Sequence, residues 1–410
     1  MGRETTFAVV DIGSTKICAL IARRNKLDEL QVLGCGTVPV EDIFRKGVLI
    51  NIERASRALA QAVAAAEEQA ETRVTSLTVG FSGEHLRSFN SLGVVPVSKT
   101  ANQISEQEVE AVIEAAQAVS LPFEREILHV LPQEFFIDQG EGIKNPIGNT
   151  GVRLEVQVHI VTASTAATQA IYKMVREAGH EITSLVLNPI VLGSALLSSE
   201  EEEVGTLIID IGGSTTDIAV YHKGAIRHTA SIGIGGKFVT NDIAVGLQIP
   251  NNLAESIKIT HGHSFSASID PAERVELPEM GGRKQSKISC VLLASIIEAR
   301  MEEIFTLAIN TAKRSGFSSK LSCGVILTGG GSRIRGVEKL ARKVFNLPVK
   351  IGYPEKIQLP EEFFGKPQFS SVIGLLAYSL RHPVENEERR NILIRMFHRV
   401  EDVISSLFNI

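Results

Sequence analysis

The sequence predicts an α/β protein of two related lobes, and two observations carry that expectation. The first is an internal repeat. Phe7-Ala8-Val9-Val10 leads into Asp11-Ile12-Gly13-Ser14-Thr15-Lys16 and out through Ile17 to Ala22. Leu207-Ile208-Ile209 leads into Asp210-Ile211-Gly212-Gly213-Ser214-Thr215-Thr216-Asp217 and out through Ile218 to Tyr221. Each copy reads as a strand, a tight turn of small residues and a second strand. The copies stand about 200 residues apart, roughly the length of one domain and far longer than a solenoid repeat. The second observation is the mixing of strand and helix patterns along the whole chain, which implies an α/β architecture.

Helical periodicity is legible over Glu53 to Ala70, Glu106 to Ser120, Ala163 to Glu177 and Val291 to Ser315. Strand-like runs recur at Ser76 to Phe81, Gly93 to Val97, Leu154 to Val161 and Val349 to Ile351. A third glycine loop, Gly329-Gly330-Gly331-Ser332, follows Val325 to Thr328 and precedes a helix with apolar Val337, Leu340, Ala341, Val344 and Phe345 on one face. Two stretches break the pattern and are expected as surface excursions: Gly140 to Gly151, and His263 to Lys287. Arg381 to Arg390, with Pro383, reads as a short linker.

The chain has 410 residues, 44% of them hydrophobic and 22% charged, with a net charge of -5. This is globular composition, with length for two or three cores. A general nucleic-acid surface would need an excess of Lys and Arg that is absent here. Cys18, Cys35, Cys290 and Cys323 are scattered and form no CxxC pair, so neither a disulfide framework nor a zinc site is expected. Asp11 interrupts the apolar stretch near the N-terminus, which therefore does not read as a secretory signal, and the expected compartment is the cytosol. No apolar run reaches the 18 residues or more that span a bilayer.

Turns of small residues let backbone N–H groups and Ser or Thr hydroxyls point into one concavity, where a phosphate can replace water. Two such turns facing each other would clamp a polyphosphate. Asp11 and Asp210, at the strand ends, would hold a hydrated Mg²⁺ against it, and Lys16 adds a point charge. A lone turn of this kind is most often a hairpin connector, but a connector need not repeat the acid and both hydroxyls. No GxxxxGK[ST] and no GxGxxG run occurs, so P-loop and Rossmann fingerprints are missing.

The paired Asp-Gly turns, with Gly235-Gly236-Lys237 and Gly329-Gly330-Gly331-Ser332 as later loops, resemble the actin, Hsp70 and sugar-kinase superfamily over almost the whole chain. Within it, the sequence resembles the FtsA family of bacterial cell division proteins. Arg227-His228-Thr229, Thr240-Asn241-Asp242-Ile243-Ala244, Ala254-Glu255 with Lys258, and Asn145-Pro146-Ile147-Gly148 with Arg153-Leu154-Glu155 and His159 carry that likeness. It implies an actin-like two-lobed duplicated fold with an inserted α+β domain and a C-terminal amphipathic helix, with ATP and Mg²⁺ as cofactors. Residues 1–81 with 163–198 and 365–382 would form the large subdomain of lobe 1, and 82–162 the inserted domain. Residues 199–230 with 300–364 would form the large subdomain of lobe 2, 231–299 its small subdomain, and 383–410 the linker and helix.

By the same likeness, Asp11 to Lys16 and Asp210 to Asp217 are the phosphate loops. Gly235, Gly236 and Lys237 lie near ribose and phosphate, Glu255 and Lys258 touch ribose or adenine, and Gly329 to Ser332 underlie the nucleoside. On spacing alone, Glu255 and Lys258 read as an i, i+3 surface ion pair. Asn188 falls where actin-like ATPases carry a water-orienting Gln or Glu; its shorter reach implies nucleotide binding with slow or absent hydrolysis. The likeness further implies FtsZ's C-terminal tail, copies of the chain itself in filaments and later division proteins as partners. A tail groove would lie in about Ser231 to Ala299, with Arg300 at its edge.

From Arg389 the apolar residues Leu393, Met396, Phe397, Val400, Val403, Ile404, Leu407 and Phe408 form one helical stripe. Arg390, Arg395 and Arg399 keep largely off it. A terminal helix can dock on its own core, but basic residues here suit anionic headgroups at roughly 1 kcal/mol each. The likeness implies a membrane-targeting helix on the cytoplasmic side of the inner membrane at the division site. Two other readings stay open: a small-molecule kinase of the superfamily, which gains nothing from a basic amphipathic tail, and a pilus-assembly actin-like protein. A chaperone of the Hsp70 type is not expected, because the sequence after residue 380 does not read as a peptide-binding domain.

Overall fold

The computed structural model describes residues 5–24, 30–45, 47–98, 103–279, 286–354, 363 and 365–381. The chain opens with β1 (Thr5–Ile12), β2 (Lys16–Arg24) and β3 (Leu30–Pro39), an antiparallel meander. β2 is buried along most of its length because the sheet is covered on both faces. Ile17, Ala19 and Ile21 point into one core cluster, and Cys18, Leu20 and Ala22 into another. A small hairpin, β4 (Phe44–Arg45) and β5 (Val48–Leu49), precedes α1 (Ile52–Ala70). The Asn51 side chain caps α1 by accepting the Arg54 N–H at 3.0 Å. α1 lies so close on β3 that a Cβ on Gly36 would sit 1.9 Å from the Ala62 carbonyl oxygen. β6 (Ser76–Phe81) then enters the sheet parallel to β1.

The chain next leaves the lobe to build β7 (Arg87–Pro96), α2 (Glu106–Gln117), β8 (Arg125–Ile137) and β9 (Arg153–Ser164). The strands pair antiparallel in the order β7-β9-β8. Val112 and Ala116 of α2 pack on Leu154, Val156 and Val158 to make a separate core. α3 (Thr165–Glu177) and β10 (Glu181–Leu187) return to the first lobe, and α4 (Asn188–Leu196) and α5 (Ser199–Val204) cross to the second.

The second lobe repeats the scheme with β11 (Thr206–Ile211), β12 (Thr216–His222) and β13 (Ala225–Ile232). α6 (Gly236–Leu247), α7 (Asn251–His261), β14 (Arg274–Leu277), β15 (Ser286–Ser289) and α8 (Cys290–Arg314) follow. β16 (Val325–Thr328), α9 (Val337–Phe345) and β17 (Val349–Ile351) complete the sheet, and α10 (Ser370–Arg381) returns to pack on α4 and β1. The sheet orders β10-β6-β1-β2-β3 and β17-β16-β11-β12-β13 match strand for strand, including which pairs are parallel. Duplication is thus a property of the topology and not only of the two turns.

Some elements differ from the sequence expectation. α2 stops at Gln117 rather than Ser120, and α3 starts at Thr165 rather than Ala163 because Ala163 still belongs to β9. The stretch His263 to Lys287, expected as an irregular excursion, carries the β14–β15 hairpin, whose Val275 and Leu277 reach the lobe core. Gly140 to Gly151 is irregular apart from isolated bridges at Ile143 and Thr150. The C-terminal helix expected over Leu393 to Phe408, with its arginines, falls outside the described residues. Among the described residues, no helix is long and apolar enough to cross a membrane.

Candidate functional site

The two turns close in the same way. The Gly13 N–H donates to the Lys16 carbonyl at 3.0 Å, and the Gly212 N–H to the Thr215 carbonyl at 2.9 Å. A Cβ on Gly13 would lie 2.7 Å from the Lys16 oxygen, so the turn needs glycine there. The turns also touch across the lobes. The Ser214 N–H donates to the Ser14 hydroxyl at 2.9 Å, and the Lys237 ammonium reaches the Ser14 carbonyl at 3.0 Å. A side chain on Gly213 would strike Thr15 at 2.4 Å.

Gly235 and Gly236 back the second turn. The Gly236 and Lys237 N–H groups each donate at 2.8 Å, to the Gly212 and Gly213 carbonyls respectively. The first N–H groups of α6 are therefore committed to the protein. A Cβ on Gly235 would stand 2.6 Å from the Gly212 oxygen, so the close approach of the loops needs glycine again. Glu255 and Lys258 lie on this side of the cleft as more than a surface pair. Lys258 is largely buried, and its three donors go to Gly236 O at 3.0 Å, Thr240 Oγ1 at 2.8 Å and Glu255 Oε2 at 2.7 Å. The Thr240 hydroxyl also bonds Glu255.

The glycine loop after β16 approaches from the other direction. Gly329 has φ +81°, and a Cβ there would fall 2.0 Å from Asp210 Oδ1. Gly330, by contrast, faces open space. The Ser332 hydroxyl is buried and turned back to the Gly329 carbonyl at 2.8 Å.

Asp11, Asp210 and Asp217 are all buried at the bottom of this cleft. The Asn188 amide donates to Asp11 Oδ1 at 2.8 Å, and the Ser371 hydroxyl to Asp210 Oδ2 at 2.9 Å. Lys16 is anchored on the Gln368 carbonyl at 2.6 Å, with its ammonium 4.9 Å from the centre of the Phe369 ring. Burial pushes all three acids above the usual carboxylate range: Asp11 upward against the pull of Lys16, Asp210 to about 6 and Asp217 to about 7, the last helped by the charge of Asp210. Among the described residues, no three His, Cys, Asp or Glu side chains could chelate a metal directly. Buried Asn188 Oδ1 and Gln368 Oε1 nevertheless lack any hydrogen bond within the protein, and the Ser82 and Ser231 hydroxyls stand beside Asp217. An arrangement of buried acids and orphaned acceptors fits a cation that keeps its water shell.

The raised acids set a pH dependence. An unfolded aspartate ionises near 3.8, so between that pH and about 6 or 7 the folded chain binds more protons than the unfolded one, and stability falls as pH rises through the window. Asp217→Asn is therefore expected to raise the cation-free thermal midpoint relative to the parent by more at neutral pH than near pH 4. A midpoint difference that stays constant across that range would contradict the shift.

Sequence reasoning missed Ser371 and Gln368, which come from a chain segment far from both turns. The only available signal was the Ser370-Ser371 pair at the start of α10. Arg300 stands apart from the cleft: it grips Asp242 at 2.5 and 3.0 Å and Glu303 at 2.5 Å, and lies over the Phe238 ring.

This duplicated fold defines an actin-like protein. The structure is similar to the type IV pilus PilM–PilN biogenesis complex (TM-score 0.66, 17% identity, 93% of this chain and 99% of the other). It is also similar to MreB5 of Spiroplasma citri bound to ADP (TM-score 0.55, 16% identity, 91% of this chain and 95% of the other). The family model described as cell division protein FtsA matches residues 207–374, and that of the SHS2 domain inserted in FtsA matches residues 83–162. Cell division protein FtsA of Pseudomonas aeruginosa is 38% identical over 91% of this chain and 88% of its own length. That of Borreliella burgdorferi is 41% identical over 90% of this chain and 89% of its own length, and that of Escherichia coli is 33% identical over 92% and 91%. The chain belongs to the FtsA family of cell division proteins.

Proposed function

We infer that this chain binds ATP with Mg²⁺ in the cleft between its lobes and ties FtsZ filaments to the cytoplasmic face of the inner membrane. The observation that carries the nucleotide reading is the direct meeting of two equivalent turns over buried acids, Ser214 N–H on Ser14 Oγ above Asp11 and Asp210. Gly13, Ser14, Thr15 and Lys16 would take one side of the phosphates, and Gly212 to Thr216 the other. Asp11 and Asp210 would hold the hydrated cation, with Asp217 beside them. Mg²⁺ there would neutralise charge on the phosphates, and the acids would then remain ionised at neutral pH. Open space at Gly330 suits the nucleoside.

Hydrolysis is expected to be slow or absent. The amide at the water-orienting position, Asn188, is shorter than Gln or Glu, and one of its N–H groups holds it back on Asp11. Sustained phosphate release by the purified protein, abolished by Asp210→Ala, would contradict this.

Filament formation, recruitment of later division proteins and capture of the FtsZ tail near Arg300 belong to the same reading, which rests on family membership. An acidic tail would have to displace Asp242 or Glu303 from Arg300 or share it with them. The membrane half rests on the apolar stripe Leu393 to Phe408 flanked by Arg390, Arg395 and Arg399. The test is co-sedimentation with anionic liposomes in the presence of a fluorescent FtsZ-tail peptide. The full chain should pellet with the peptide, whereas a chain ending at Pro383 and the Phe408→Glu variant should stay in the supernatant. If the truncated chain pellets equally, the tail is not the anchor.

A further inference from the structure

The inserted domain is joined to the first lobe by two chain crossings, one after β6 at Ser82-Gly83 and one before α3 at Ala163-Ser164. Arg125 staples the two crossings into one neck: its guanidinium donates to the His85 carbonyl at 3.0 Å and to the Thr162 carbonyl at 2.8 Å. The domain's second attachment is to the other lobe, and all three of its strands take part. Ser88 of β7 donates to the Thr229 carbonyl at 2.6 Å, and Gln133 of β8 donates to the Ile226 carbonyl at 2.7 Å. His159 of β9 bridges Asn90 Oδ1 at 2.7 Å and Thr229 Oγ1 at 3.0 Å. Arg227 answers from β13, pairing with Glu134 of β8 at 2.9 Å.

These groups are sealed from water: His159, Thr229, Gln133 and Arg227 are all buried. Burial pushes the His159 imidazole down to about 3, so it is neutral. A neutral ring fits its neighbours with the proton on Nδ1, donated to Asn90 Oδ1, and Nε2 accepting from the Thr229 hydroxyl. Beside the neck the domain also meets the first lobe: the Leu187 N–H donates to His129 Nε2 at 3.2 Å, the Thr165 N–H to the Glu124 carbonyl at 3.0 Å, Thr168 bonds Glu126, and Leu128 and Leu131 pack on that lobe's core. Separating the domain from β13 would in turn strip the buried His159, Thr229, Gln133 and Arg227 of partners at once.

β13 is also tied to the second turn through β12. It pairs Ser231 with Asp217 and Ile232 with Thr216, and the chain runs on into Gly236 and Lys237, whose N–H groups donate to the Gly212 and Gly213 carbonyls. A movement of the second turn therefore moves β13.

We propose that the three-strand clasp on β13 makes the inserted domain turn with the second lobe, so that closure of the lobes on a nucleotide rotates the domain against the first lobe about the Arg125-stapled neck. The proposal rests on the nucleotide reading above. It assigns Ser88, Gln133 and His159 a positioning role remote from the nucleotide itself.

The test uses pairs of nitroxide labels on the full chain at three exposed helix positions: Gln61 on α1, Glu114 on α2 and Asn310 on α8. Cys323→Ser removes the one native thiol that is not buried. Distances are read by double electron–electron resonance, with calorimetry of ATP binding on the same samples. With Mg²⁺ and ATP, the 61–310 and 61–114 distributions should shift while 114–310 keeps its position and width. In His159→Leu, and more weakly in Ser88→Ala, 114–310 should broaden and 61–114 should lose its response. The proposal is overturned if 61–114 stays fixed in the parent while 114–310 moves, or if ATP binds and none of the three moves. Absence of any heat of ATP binding would instead remove the nucleotide reading, and the coupling with it.

Discussion

Gly329→Ala is expected to abolish Mg²⁺-ATP binding and to cost roughly 1–3 kcal/mol of stability, the usual range for a residue forced into a sparsely allowed conformation. Its φ of +81° lies in the left-handed region, which L side chains resist. The new methyl group would also stand 2.0 Å from Asp210 Oδ1 and 2.7 Å from the Ile211 carbonyl oxygen. Neither can yield easily, because Ile211 is in the central sheet strand and Asp210 is held by Ser371. The acid that would hold the cation is therefore displaced. Gly330→Ala is the matched control: nothing lies within 4 Å of its Cβ, so stability should change by about 0.5 kcal/mol or less while the nucleotide meets the added methyl directly. Thermal melts and titration calorimetry on both variants separate the two effects. Equal stability of the two variants would contradict the geometry at Gly329.

The second large effect is expected at Arg227→Ala, with a loss of about 3–5 kcal/mol, because removing one partner of a buried ion pair leaves the other charge uncompensated. Arg227 is 2% exposed, and it bonds the His222 carbonyl at 2.8 Å in addition to Glu134. Lys223, at 3.0 Å from Glu134, would screen part of the loss. The exposed pair Arg57–Glu53 on α1 offers the contrast: Arg57→Ala should cost under about 1 kcal/mol, since water and salt screen it. Urea unfolding of both variants reads the difference. An Arg227→Ala midpoint as mild as that of Arg57→Ala would mean that Glu134 relaxes into water and that the inserted domain is held more loosely than the structure indicates.

The parts of the fold that could be read from the sequence are those whose cause is local. The Asp-Ile-Gly turns announce themselves because a tight turn with a close carbonyl demands glycine at Gly13 and favours it at Gly212, and the acid stands two residues before it in both copies. α1 was legible to within a residue because its small apolar stripe and Asn51 cap are written in consecutive turns of one helix. β8 was not, because bulges near Leu128 and Gln133 break the alternation of its side chains. The β14–β15 hairpin was hidden for a different reason: with four residues per strand, only Val275 and Leu277 declare the inward face.

The cleft shows the same division. Both turns were visible, but their contact was not, because the Ser14–Ser214 and Lys237–Ser14 bonds depend on how two sheets about 200 residues apart are set against each other. Ser371 reaches Asp210, 161 residues before it in the chain, only because α10 returns beside β1. The clasp on β13 was illegible as a unit: Arg227, Thr229 and His159 carry the family likeness without a role attached, nothing marks Ser88 or Gln133, and they become a set only when three strands present them to one neighbour.

The most direct measurement is titration calorimetry of ATP into the purified full chain, with and without Mg²⁺, for the parent, Gly329→Ala and Asp210→Ala. Saturable binding that weakens without Mg²⁺ and disappears in both variants, with each variant still folded by its melt, is the predicted result. Binding of equal strength in the parent and in folded Gly329→Ala would show that the paired turns and their buried acids are not the nucleotide site.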